Sequence, residues 1–261
     1  MLTFIIPLKA RETATSWDLT CKLLGRTLDS ILNQSHPDFK VIVVCHDIPE
    51  NFAKDHRILF HKVDLPLPLD SYFSKEKDKM AKMLIGSKLA HDLSTTHVMF
   101  VDADDCVSRE LSRFLLGKEN QNGWFFDSGY EFRQDLRRLK LRRKNFHLRT
   151  NTSHIVRLDL LLNDLSIPYD KINRSDCIFY HIDTASLLQK RGFPLKPLPI
   201  IGSVYITDNG ENMWWEQSKI NYANGNSKFK AFKHKAKAVY HRMISVPVSA
   251  SIVYEFSLQD I

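Results

Sequence analysis

Three carboxylates, Asp102, Asp104 and Asp105, fall within four residues in the segment VMFVDADDCV, directly after an apolar run. Crowded together, such groups repel one another unless a cation compensates them or the site is wet and open. A hard divalent ion is the simplest compensation. Mg²⁺ or Mn²⁺ takes one or two carboxylates and fills its remaining positions with water and phosphate oxygens. Bridging a diphosphate, such an ion would neutralise the charge that develops as the diphosphate departs. An exposed acidic turn is the plain alternative reading. A calcium loop is excluded by spacing: the sixth and twelfth positions from Asp102, which need Gly and Glu, are Val107 and Arg113.

The elements before this cluster follow a regular order. Leu2 to Ile6 reads as a strand closed by Pro7, and Ser16 can cap a helix over Trp17 to Asn33, where Leu24, Leu28, Ile31 and Leu32 recur at helical spacing. Lys40 to Cys45 (KVIVVC) is an apolar run without alternation, as expected of a strand covered on both faces. A third strand is expected at Ile58 to Val63, then a Pro-containing loop, then a helix from Lys75 to Leu93 with Met80, Met83, Leu84 and Ser87 inward. His97 to Val101 forms another buried strand that runs into Asp102. This alternation predicts an α/β fold with a mostly parallel sheet and helices on both faces. Ligands in such sheets bind beyond the carboxyl ends of the strands, which singles out His46-Asp47 and the Asp102 cluster.

The second half is less regular. It suggests strands at Trp124 to Tyr130 and His154 to Val156, helices at Leu158 to Leu162 and Ile182 to Lys190, and a C-terminal segment after Trp215 that shifts toward Lys, Asn and Ser.

The chain has 261 residues, 43% of them hydrophobic, enough for one large domain or two fused halves. Four separate cysteines without CxxC spacing indicate neither a zinc site nor a disulfide framework. No apolar run is long enough to span a bilayer. The charges of MLTFIIPLKARE follow its apolar stretch, whereas in a signal peptide they precede it, so a cytoplasmic location is expected, with peripheral contact at the inner membrane face. The net charge of +7 is local, because Arg137 to Arg149 holds seven Lys or Arg and no acid. That stretch suits an anionic membrane or glycan, or it is a solvated helix face with Leu136 and Leu139 inward. Nucleic acid is not expected, since no binding module is recognised and aromatics do not interleave the basic residues.

Several segments together resemble a GT-A-fold glycosyltransferase of the family 2 type. They are FIIP (Phe4 to Pro7), the helix ending TLDSILNQ, VIVVCHD ending at Asp47, Gly86 to Ala90 leading into VMFVDADD, RSDCIFYHIDTASLLQKRGFPLKPLP, and VYITDNGEN. The resemblance covers roughly residues 2 to 215. It implies a GT-A domain over 1–215, with a nucleotide-sugar half (1–110) and an acceptor half (111–215), and an appendage over 216–261. It further implies a nucleoside-diphosphate sugar donor, a divalent metal, and a hydroxyl acceptor on a glycan or lipid-linked saccharide. The donor-contacting set it implies is Pro7, Asp47, Lys79, Lys82, Asp102, Ala103 and Asp104, with Asp47 toward the base or ribose. Asp104, Asp105, Asp208 and Glu211 are the implied metal set, and Asp176 the general base, which implies inversion at the anomeric carbon. The sequence departs from the family pattern in two places: Ser175 precedes Asp176 where an acidic pair is usual, and Met83-Leu84 replaces an Arg-Asn pair, leaving Lys79 or Lys82 to contact phosphate. Two alternatives stand beside this reading. One is a non-catalytic nucleotide-sugar-binding protein of the same fold. The other is a haloacid-dehalogenase-like phosphatase, which also carries Asp-x-Asp after a buried strand but normally without Cys at the position of Cys106.

Overall fold

The structure, a computed structural model, describes residues 1–50, 52, 54–172, 178–211 and 244–258. β1 (Leu2–Pro7), α1 (Trp17–Leu32), β2 (Phe39–Cys45), β3 (Ile58–Lys62), α2 (Tyr72–His91) and β4 (His97–Phe100) follow in the expected order. β1 lies between β2 and β4, β3 lies outside β2, and all three pairings are parallel. Side-chain alternation along these strands feeds two cores. Phe4, Ile6, Val41 and Val43 pack with Leu24, Leu28 and Ile31 of α1. Ile5, Ile42 and Val44 pack with Met80, Met83 and Leu84 of α2. The sheet is thus covered on both faces, the physical reason its strands are continuously apolar. The Ser16 hydroxyl accepts from the Leu19 N–H at 3.3 Å and opens α1 as expected. α2 begins earlier than Lys75, because the Ser71 hydroxyl caps it by accepting from Ser74 N–H at 3.3 Å.

The remaining elements are β5 (Cys106–Val107), α3 (Leu111–Phe114), β6 (Gly123–Phe125), β7 (Gly129–Arg133), β8 (Arg138–Arg142), β9 (His154–Arg157), α4 (His181–Lys190), β10 (Lys196–Pro197), β11 (Ser203–Thr207), β12 (Val246–Pro247) and α5 (Ala250–Phe256). They complete a larger sheet in the order β10-β6-β9-β4-β1-β2-β3 and build a smaller one in the order β12-β8-β7-β11-β5. β9 joins β4 and β6 antiparallel, so the larger sheet is parallel at its centre and mixed at one side.

Three expectations for this half are corrected. The strand expected over 124–130 is two strands in two different sheets, broken where the Asp127 carboxylate accepts from Asn145 N–H at 2.8 Å. The basic stretch is not a helix face: β8 forms a hairpin with β7, with Leu139 buried. Part of its charge is spent internally, since Arg142, Arg149 and Lys140 lie 2.6, 3.4 and 3.6 Å from the Glu131 carboxylate. Leu158 to Leu161 make only a short 3-10 turn. Residues 246–258, the described end of the expected appendage, pack on the smaller sheet. β12 pairs with β8, and Phe256 and Leu258 bury themselves with Phe132, Leu139, Val204 and Ile206. Among the described residues no helix is long and apolar enough to cross a membrane.

Candidate active site

The chain leaves β4 in the larger sheet and enters β5 in the smaller one through the acidic turn, which is closed by Asp105 N–H donating to the Asp102 carbonyl at 3.1 Å. β11, which pairs with β5, delivers the loop from Asp208 to Glu211 to the same place. An open cavity lies there, beyond the carboxyl ends of β1 and β4. Its walls include Pro7, Lys9, Asp102, Ala103, Asp104, Glu211, one stripe of α2, and Arg149 to Asn151 from the loop before β9. The location is the one expected for a ligand of a parallel sheet.

The three clustered carboxylates have different surroundings. Asp102 Oδ1 sits 2.6 Å from Lys79 Nζ, and its Oδ2 accepts weakly from the Thr150 hydroxyl at 3.4 Å. Asp104 Oδ2 accepts from the Asn209 side-chain amide at 2.8 Å. Burial, and then the Asp102 charge, raise the Asp104 carboxyl above the ordinary carboxylate range. Asp105 points away from the cavity into the protein and is fully buried. Its Oδ2 accepts from Thr150 Oγ1 at 2.7 Å and its Oδ1 from Ile206 N–H at 2.9 Å, tying the 150 loop to β11. Burial, followed by the neighbouring charges of Asp104 and Asp102, raises its carboxyl well above normal.

Other sequence-derived site residues are placed elsewhere. Asp47 accepts the Arg11 N–H at 3.1 Å and does not line the cavity. Asp208 is also outside the lining, 3.0 Å from Arg133 Nε. Glu211 lines the cavity with both oxygens engaged: Oε2 with Lys9 Nζ at 2.8 Å and Thr15 N–H at 3.3 Å, Oε1 with Ser16 N–H at 2.7 Å. It therefore anchors the start of α1. Lys82 is fully buried and its ammonium is spent on Asp78 at 2.6 Å and on the Leu8 carbonyl at 2.7 Å. Asp78 is shared with His46 Nε2 at 2.8 Å, so a buried His46–Asp78–Lys82 network braces α2 against the ends of β1 and β2. Burial lowers the Lys82 pKa despite Asp78. Asp176 lies outside the described residues.

This donor set does not suit a divalent ion. The Asp102 carboxylate faces an ammonium, Asp104 is held by an amide, Asp105 is turned inward, and Asp208 and Glu211 are paired with Arg133 and Lys9. Among the described residues no three His, Cys, Asp or Glu side chains are grouped to hold a metal. The corrections follow one physical rule: an acid near a site finds its counter-charge in the nearest fixed donor, and here arginine, lysine and backbone N–H supply it. The described cysteines are free thiols, and burial pushes Cys45 up to about 11 and Cys106 up to about 12, which keeps both inert.

No protein-family model and no curated protein matches the sequence. Among solved structures the chain is similar to TarS 1–349 of S. aureus, at 14% identity over 78% of this chain and 60% of that one, with a TM-score of 0.47. The same TarS fragment in complex with UDP-GlcNAc matches at 15% identity over 82% of this chain and 60% of that one, TM-score 0.47. A structure described as a nucleotide-diphospho-sugar transferase of Desulfovibrio desulfuricans G20 matches at 13% identity over 92% and 96% of the two chains, TM-score 0.39. The chain spans about 60% of the length of the TarS fragment.

Several residues of the site carry no signal in the sequence. Thr150 and Asn151 arrive from the loop before β9 and Lys9 is unremarkable in type and spacing, whereas Arg149 closes the basic stretch that the sequence sets apart. Asn209 stands inside the VYITDNGEN segment, between the two acids that drew attention to it.

Proposed function

We propose that the chain is a nucleotide-sugar-dependent transferase, a glycosyltransferase of the GT-A, family 2-like type. It would move a sugar from a nucleoside-diphosphate donor to a hydroxyl of a glycan or lipid-linked acceptor. The observation that carries this reading is the cavity at the carboxyl ends of β1 and β4, where Asp102 and Asp104 face a lysine stripe of α2. Carboxylates there suit the hydroxyls of ribose and sugar, and cations suit phosphate oxygens. The acceptor hydroxyl would attack the anomeric carbon with inversion while Asp176 takes its proton, and the bond from that carbon to the diphosphate oxygen would break to release the nucleoside diphosphate. The metal dependence implied by the sequence resemblance is not carried into this proposal, because the described carboxylates already have fixed partners.

A thermal-shift screen of UDP, GDP, dTDP and their sugars tests it. A nucleotide that binds the native state at 100 times its Kd adds about 2.7 kcal/mol of stability, an easily read shift. The stabilising sugar nucleotide should then release its diphosphate on incubation with the wild type, and Asp104→Ala and Asp176→Asn should each abolish that release. Failure of every nucleotide to shift the transition would sink the proposal, and release of inorganic phosphate from a generic ester would favour the phosphatase instead.

A further inference from the structure

Resting on the transferase reading above, we propose that Lys79 holds the donor diphosphate in place of a divalent cation, so that donor binding needs no metal. Lys75, Lys79 and Lys82 stand at helical spacing on the stripe of α2 that lines the cavity. Lys82 is withdrawn from that role by Asp78 and the Leu8 carbonyl. Lys79 instead meets Asp102 at the cavity wall, at 2.6 Å. An ion bound to Asp102 would have to share that carboxylate with an ammonium, and the two cations repel. Asn209 already engages one oxygen of Asp104, donating to Oδ2 at 2.8 Å.

An ammonium is a compact point charge well suited to phosphate oxygens. Burial works against the charge on Lys79, but Asp102, Glu76 and Asp104 together outweigh it and raise its pKa, so the charge is present throughout the neutral range. A diphosphate entering the cavity takes over the ammonium from Asp102. That exchange frees Asp102 Oδ1 to accept from a ribose or sugar hydroxyl, so a single contact couples recognition of the two parts of the donor.

Isothermal titration of the full chain with UDP, GDP and dTDP, first in EDTA and then in Mn²⁺, decides the matter. The wild type should bind one nucleotide in EDTA within about threefold of its affinity in Mn²⁺, and Lys79→Met should weaken binding in EDTA by at least about tenfold. Lys79→Arg should keep most of the affinity. Lys79→Met should also acquire a Mn²⁺-dependent rise in melting temperature absent from the wild type, because Asp102 loses its built-in counter-ion. Binding by the wild type only in Mn²⁺ would overturn the inference and leave the transferase reading intact. Undiminished binding by Lys79→Met in EDTA would overturn it as well. If no nucleotide binds under either condition, both readings fall. Should Lys79→Met not fold, the wild-type comparison of EDTA with Mn²⁺ still decides.

Discussion

Asp105 shows how a carboxylate in an acidic cluster can serve the fold rather than the ligand. Both of its oxygens are engaged, by Thr150 Oγ1 and Ile206 N–H, and it is fully buried. Asp105→Ala removes the acceptor of the buried Ile206 N–H and leaves the Thr150 hydroxyl only its weak contact with Asp102, and is expected to cost about 2–4 kcal/mol in urea denaturation. Asp105→Asn can keep an acceptor toward Ile206 N–H while Thr150 reorients, so its cost near pH 7 should stay below about 1 kcal/mol. Its pH dependence has a definite sign. The folded carboxyl is raised well above the ordinary value, so between those two values the folded state holds a proton that the unfolded state has released. Stability from this group therefore falls as pH rises through that window and levels off above the folded pKa. Measured as the difference between wild type and Asp105→Asn, the unfolding free energy should decline from pH 4 upward; a rising difference would contradict the assignment.

At the scale of elements, α2 packs on β1 and β2 through Gly86. A methyl group added at Gly86 would come within 2.4 Å of Ile5 Cγ2 and 3.3 Å of Val44 Cγ2, so the helix can approach β1 only where a side chain is missing. Gly86→Ala gains helix propensity of about 0.8–1 kcal/mol and loses about 1–3 kcal/mol to overpacking, so the net effect expected is destabilisation. Because Lys79 rides on the same helix, nucleotide binding should weaken along with the urea midpoint. A variant with an unchanged midpoint would show that the helix shifts freely. Much at this scale is legible in the sequence. The βαβ order, the Ser16 cap and the strand running into Asp102 follow from periodicity and side-chain chemistry. The hairpin of β7 and β8 is less legible, because the alternation of Arg138 to Arg142 (RLKLR) competes with the helical spacing of Leu136 and Leu139, and two apolar residues at each period do not decide between strand and helix. What settles it is Glu131 across the hairpin and Leu139 entering the smaller core.

For the molecule as a whole, the smaller sheet depends on residues far away in the chain. Phe256 and Leu258 complete the core formed by Cys106, Phe132, Leu139, Val204 and Ile206, next to the turn that carries the acids. Phe256→Ala is expected to cost about 3–5 kcal/mol, read as a lower midpoint in urea. If that substitution were nearly silent, the C-terminal helix would be a detachable addition. The sequence by itself determined the α/β class, the order of the first four strands along the chain and the end of the sheet where the cavity opens, because hydrophobic period and capping act over a few residues. Only the tertiary structure decided which acids face the cavity. Asp105 and Asp208 follow strands closely, as Asp102 and Asp104 do, yet they lie outside the cavity lining, and Glu211 lines it with both oxygens already engaged. Their partners are Ile206, Arg133 and Lys9, brought to them by the junction of two sheets, and a carboxylate's role follows from the charge or donor that reaches it.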